Sequence, residues 1–315
     1  MPEVIGRARR GGQAMEMIEV DGLSVAYERA GAGPPLVLLH GYVGDGPTTW
    51  RRQVEGLCDE FTVVAWDAPG VGGSSDPPES FGMAGYADCL AGFVDRLALE
   101  KPHVAGLSFG GALALELYRR HPTIPMTLIL ASAYAGWGGS LPADVAERRL
   151  RQALVLADLS PDAFVSALLP TMFSEATPPE SVDAFGASML AFHPAGFRAM
   201  ARASAEDLRD VLPRINVPTL WCTATRTCGR PCPSLRTSRQ RFRARRLSCC
   251  RTPVMPATSK PLKSSTGLSG TFSATRSGEV RFYGQPAPGA GAGAVSTWPV
   301  RGPLVSRNML SVTLS

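Results

Sequence analysis

Between the apolar run His103 to Leu107 and a stretch of helical apolar spacing from Gly111 to Arg120, the chain reads Gly106-Leu107-Ser108-Phe109-Gly110. So short a turn from strand to helix leaves no room for flanking side chains, because Cβ atoms there would strike the neighbouring strand and helix. Gly106, Gly110 and Gly111 meet that demand, and Pro122 stops the helix. Ser108, at the tip, is therefore a candidate nucleophile. The pattern Gly-x-Ser-x-Gly alone is degenerate, and its weight comes from this strand-turn-helix setting.

The rest of the first 220 residues supplies a matching frame. Ile18 to Val20 and Leu23 to Glu28 flank Asp21-Gly22, a hairpin signal. Apolar strands at 36–39, 62–65, 103–107 and 127–131 then alternate with helical stretches from about Trp50, from Met83 to Leu99 and after the serine turn. That alternation calls for a mostly parallel sheet with helices on both faces. From Tyr134 to Ala205 the spacing is helical without strands, and Ile215 to Leu220 reads as a return to the sheet.

Two more segments fall in register with the serine turn. Leu36-Val37-Leu38-Leu39-His40-Gly41 is a buried strand entering a His-Gly turn, and Asp67-Ala68-Pro69-Gly70-Val71-Gly72-Gly73-Ser74 follows the strand at Thr62 to Ala65. In this order and spacing the three motifs resemble the α/β-hydrolase family, in its branch of esterases, lactonases and C–C hydrolases, over Met17 to Leu220. The resemblance implies an α/β-hydrolase fold with a helical cap: 1–16 as an N-terminal extension, 17–133 as the core with the elbow, 134–205 as the cap and 206–221 as the return to the core. It also implies that backbone N–H groups of Tyr42 and Phe109 form the oxyanion hole around Ser108. His40 and Gly41 brace the oxyanion loop, Gly106 and Gly110 support the elbow, and Asp67 forms a turn. In the cap, Trp137, Leu154, Phe173, Phe192 and Phe197 either line an acyl pocket or pack the cap helices together. His193 lies in the cap and is a poor candidate for the base, which must be held within reach of the nucleophile.

The overall composition averages two unlike halves. Residues 1–210 hold 16 Lys and Arg against 26 Asp and Glu, a net of −10, whereas 211–315 hold 16 against the single acid Glu279, a net of +15. Five of the 7 cysteines (Cys222, Cys228, Cys232, Cys249, Cys250) crowd into the start of the second half, without Cys-x-x-Cys spacing and with no histidine beyond His193. No zinc site, other metal or cofactor is expected from that arrangement. Met1 to Ala14 carries Arg7, Arg9 and Arg10 with no apolar run behind them, so neither a signal peptide nor an anchor is expected, and the location is expected to be cytoplasmic. Met15 or Met17 is an alternative start.

A serine hydroxyl needs a histidine to take its proton and a carboxylate to orient that histidine, and the resemblance places both after the cap. No Asp lies beyond Asp210 and no His beyond His193. The missing turns appear in a shifted register, in which each codon joins the last base of one residue to the first two of the next. Trp221 is TGG, so Cys222 then encodes valine without freedom. With G or C at third positions, Cys222 to Pro231 becomes Val-His-Gly-Asp-Ala-Asp-Val-Arg-Ala-Pro, and Arg251 to Met255 becomes Pro-Asp-Ala-Gly-His. The acid falls at Thr227 and the histidine at Met255. On this reading 222–315 is an out-of-frame, disordered tail, lacking the last strands and helices. The competing reading takes the nine arginines between Arg226 and Arg251 as a basic tail for nucleic acid or membrane, but aromatic residues are nearly absent from it.

Two functional classes stand open. One is a cofactor-independent serine hydrolase of a small carboxylic ester or lactone, with no nucleic-acid or membrane partner. The other is an inactive or binding-only homologue, because the acid and histidine are absent as written. A serine rather than an aspartate at 108 argues against dehalogenase chemistry. The sequence leaves the oligomeric state open.

Overall fold

The computed structural model describes residues 7–10, 13–173, 177–222, 247–250, 268–274, 280–284 and 310–314. A nine-stranded sheet runs in the order β1-β2-β3-β5-β4-β6-β7-β8-β9. Its antiparallel edge is β1 (Arg7–Arg10), β2 (Gln13–Val20) and β3 (Leu23–Ala30). Asp21 and Gly22 both take positive φ, 50° and 82°, giving the primed turn that matches strand twist. From β5 (Thr62–Trp66) onward the neighbours are parallel: β4 (Pro35–Leu39), β6 (His103–Leu107), β7 (Thr127–Ala131), β8 (Thr219–Cys222) and β9 (Leu247–Cys250).

Strand alternation sorts the core into two layers. Leu36, Leu38, Val63 and Ala65 point to one face, where α1 (Gly46–Leu57) covers them with Trp50, Val54 and Leu57. Val37, Leu39, Val64 and Trp66 point to the other, against α2 (Gly82–Arg96) and α3 (Phe109–Arg120). Both faces are apolar because both are covered, as a parallel sheet requires. Helix α2 stops short of the Leu99 expected from its apolar spacing, since Ala98 turns to φ 51°.

The stretch after β7 is helical: α4 (Trp137–Ser140), α5 (Ala143–Leu156), α6 (Pro161–Leu168), α7 (Pro179–Met189) and α8 (Pro194–Ser204). It has its own apolar cluster, in which Phe164 stacks on Phe192 at 4.0 Å and meets Phe197 edge-on at 5.0 Å. Helix α8 serves both bodies. Phe197 and Ala201 enter the cap cluster, while Met200 and Ala203 pack with the core.

Within 222–315, β9 joins the main sheet and β10 (Leu268–Ala274), β11 (Val280–Gly284) and β12 (Leu310–Leu314) form a separate antiparallel sheet. The other tail residues, and with them the expectation that the tail is disordered, lie outside the described residues. Thr227 and Met255 are among them. Among the described residues no helix is long and apolar enough to cross a membrane.

Candidate active site

β6 ends at Leu107, and Ser108 then adopts φ 52° and ψ −107° before α3 begins. A non-glycine residue in that conformation is strained and must be held by its surroundings. The holding bonds are Ser108 N–H to Ala131 O at 2.8 Å, and Gly111 N–H and Ala112 N–H to Ser108 O at 3.0 and 3.1 Å. The glycines leave no choice of residue: a Cβ on Gly106 would strike the Gly110 carbonyl, one on Gly110 the Leu39 carbonyl, and one on Gly111 the Ala133 side chain. Phe109 opens α3, so its N–H is a first-turn donor without an intrahelical acceptor.

β4 and β6 are parallel neighbours with Leu39 opposite Gly106, which brings the turn after Leu39 to the same sheet edge as Ser108. In that turn His40 is 1% exposed. Its Nδ1–H donates to Gly41 O at 2.7 Å and its Nε2 accepts from Ala68 N–H at 3.0 Å. Both ring nitrogens are thus spent on backbone, and burial holds the imidazole pKa below its ordinary value. His40 braces the loop and has no nitrogen left to take a proton. Asp67 is equally committed, with Oδ1 accepting from Gly46 N–H at 2.9 Å and Oδ2 from Gly73 N–H at 3.0 Å.

The three remaining histidines are also engaged away from Ser108. His103 sits at the opposite end of β6 with Nδ1 on Thr127 Oγ1 at 2.8 Å. His121 bonds Asp88 at 2.7 Å, and His193 bonds Asp76 at 2.8 Å. Among the described residues no cluster of His, Cys, Asp or Glu is placed to hold a metal ion.

One polar neighbour of Ser108 was not singled out as a site residue from the sequence. Tyr134, three residues past β7, donates to Ser204 Oγ at 3.4 Å, and its hydroxyl also interacts with the side chains of Ser108 and Trp137. Burial raises its pKa, so it is a neutral phenol and no base at neutral pH. The only signal for it was its position just beyond the carboxyl end of a parallel strand, where sites in such sheets form. The side chain of Tyr42 packs on Phe197 at 4.4 Å and edge-on to Trp137 at 5.8 Å, which ties the His-Gly turn to cap residues.

The profile of the alpha/beta hydrolase family matches residues 36–259. Among curated relatives, a protein of uncharacterized function from Mycobacterium tuberculosis is 36% identical over 114 residues, 36% of this chain and 33% of that one. A putative carbamate hydrolase from Agrobacterium fabrum is 32% identical over 110 residues, 35% of this chain and 42% of that one. The matched region thus spans well under half the length of these relatives. Among solved structures, a thermophilic esterase from Thermogutta terrifontis, with malate bound, has a TM-score of 0.66 and 28% identity over 74% of this chain and 88% of its own. The enol-lactonase from Burkholderia xenovorans LB400 shares the fold, with a TM-score of 0.65 and 22% identity over 74% of this chain and 89% of its own. A profile match of that extent, falling on the same sheet and the same serine turn, makes this chain a member of the alpha/beta hydrolase family.

Proposed function

We propose that this chain is built as a serine hydrolase of carboxylic esters or lactones. The observation that carries the proposal is the strained Ser108 at the tip of the elbow, φ 52°, beside the first-turn N–H of Phe109. A conformation with that cost persists where it exposes a reacting group. In the proposed reaction Ser108 Oγ attacks the carbonyl carbon and gives its proton to a base, while Tyr42 and Phe109 N–H groups hold the oxyanion. Collapse expels the alcohol, which takes the proton, and water then clears the acyl-enzyme by the same route. The names of the esterase and carbamate hydrolase relatives support this reaction class.

The acid and base belong, on this proposal, to the shifted register. β8 and β9 are parallel neighbours in register from Thr219↔Leu247 to Cys222↔Cys250. The chain therefore leaves both strands at the carboxyl edge where Ser108 sits. The shifted acid at Thr227 and histidine at Met255 each fall five codons beyond one of those strand ends. The last residue of β9 is apolar in that register, because the Cys249 codon, TGC or TGT, passes C or T to the TG of Cys250 and encodes leucine either way. We assign 17–133 to the core, 134–205 to the cap and 206–221 to the return.

Sequencing the gene across the Leu220 and Trp221 codons, and assaying both registers with short-chain p-nitrophenyl esters, tests the proposal. The restored register is expected to hydrolyse them and to lose activity on the order of 10⁴-fold in Ser108→Ala. Activity of the restored register that survives Ser108→Ala overturns it. The commitment of all four histidines to other partners favours a second reading for the chain as written, an inactive homologue that still binds. On that reading the written chain shows no Ser108-dependent turnover.

A further inference from the structure

Helix α5 carries three arginines with two different fates. Arg148 pairs with Asp144 at 3.5 Å and Arg151 pairs with Glu147, each one helical turn back and open to solvent. Arg149 instead lies over the Trp137 ring, its Cζ 4.9 Å from the centroid, and among the described residues it forms no carboxylate pair. Trp137 in turn stands edge-on to Tyr42, whose N–H is the proposed oxyanion donor. The Arg149 charge acts on the phenols of both Tyr42 and Tyr134.

A second observation points the same way. The Trp137 side chain is 2% exposed, and its Nε1–H has no hydrogen-bond partner among the described residues. The indole interacts with the Tyr134 hydroxyl, which also reaches Ser108, but outside good hydrogen-bond geometry. Buried donors are rarely left without an acceptor. A guanidinium stacked on the indole and without a carboxylate, an orphaned indole N–H, and a phenol whose O–H is already given to Ser204 thus lie close to Ser108, two free donor groups and one positive charge with no acid among them. A neutral acyl chain would use none of these groups. A carboxylate has the two acceptor oxygens and the single negative charge that complement them.

We propose that Arg149 and Trp137, next to Tyr134, form an anion-recognising subsite, so that the ester or lactone this site takes carries a second, free carboxylate, as in a half-ester of a short dicarboxylic acid. The identity of the scissile bond rests on the serine-hydrolase reading; the subsite does not.

Calorimetric titration of the full chain with two amide analogues, which resist turnover, tests it. N-Methylsuccinamate carries the carboxylate, and N,N′-dimethylsuccinamide is its neutral counterpart. The succinamate is expected to bind about fivefold or more tighter, the margin of one charge-assisted contact in a partly exposed site. Arg149→Met is expected to erase that preference, Trp137→Phe to reduce it, and Arg148→Met, on the solvent face of the same helix, to leave it intact. Equal affinities, no binding of either ligand, or a preference that survives Arg149→Met overturns the subsite. Ser108→Ala is expected to keep the preference, so a failure of the nucleophile assignment is read separately.

Discussion

Gly70, in the turn after β5, and Gly196, in the first turn of α8, meet backbone to backbone: a Cβ on either would land on the main chain of the other. Gly70 also has φ 82°, which a side chain would strain. This contact brings the backbone of α8 against the turn after β5, where neither residue has room for a side chain. Gly196→Ala is expected to lift α8 and to cost about 1–3 kcal/mol, the range for overpacking a filled site. Urea denaturation checks it, and an unchanged midpoint would show that α8 docks without this contact.

The strain at Ser108 predicts a trade between stability and reactivity. Ser108→Gly relieves the positive φ, whereas Ser108→Ala removes the hydroxyl and keeps the Cβ penalty. The glycine variant is expected to be more stable than the alanine variant by about 1 kcal/mol, both being without the hydroxyl. Thermal melts of the two variants side by side give the answer. An alanine variant at least as stable as the glycine variant contradicts a strained elbow.

How far the sequence reached depends on whether a feature is local. The Asp21-Gly22 turn, the elbow glycines and the His40-Gly41 turn were legible, because each is fixed by steric limits within a few residues. The partition of Leu36 and Leu38 from Val37 and Leu39 followed from strand alternation alone. What escaped was long-range. Tyr134 meets Ser204 across 70 residues, and Asp76 meets His193 across 117, so no window of neighbouring residues contains both partners. Arg149 was unreadable for another reason: Arg148 beside it has the same side chain, and only the position of Trp137 separates them.

Two buried histidines predict how stability responds to pH. Burial lowers the pKa of both His40 and His103 from their ordinary 6.5. The unfolded chain therefore takes up protons near pH 6.5 that the folded chain refuses, and stability falls as pH drops through that value. The effect is fully absent above it. Asp88, whose pKa the Arg120 hydrogen bond and His121 lower, adds a second loss only as pH falls below its ordinary 3.8. Urea midpoints from pH 8 to 5 are expected to decline, with a shallower slope in His103→Gln. A flat profile over that interval contradicts neutral, buried imidazoles.

The rim between cap and core is held differently from its centre. His193 bonds Asp76 at 2.8 Å and Arg202 bonds Glu79 at 3.2 Å, and all four side chains are between 31% and 62% exposed. The Arg202–Glu79 ion pair contributes about 0.2–1 kcal/mol and weakens as salt shortens the Debye length to about 3 Å near 1 M. The Gly70–Gly196 contact is steric and does not screen. Salt should therefore loosen the rim of α8 without undocking the helix. Amide hydrogen exchange at low salt and at about 1 M checks this: faster exchange is expected in the loop carrying Asp76 and Glu79, with the core-facing turn around Met200 and Ala203 unchanged. Equal acceleration at both places would mean that the Arg202–Glu79 ion pair, rather than the glycine contact, holds the cap down.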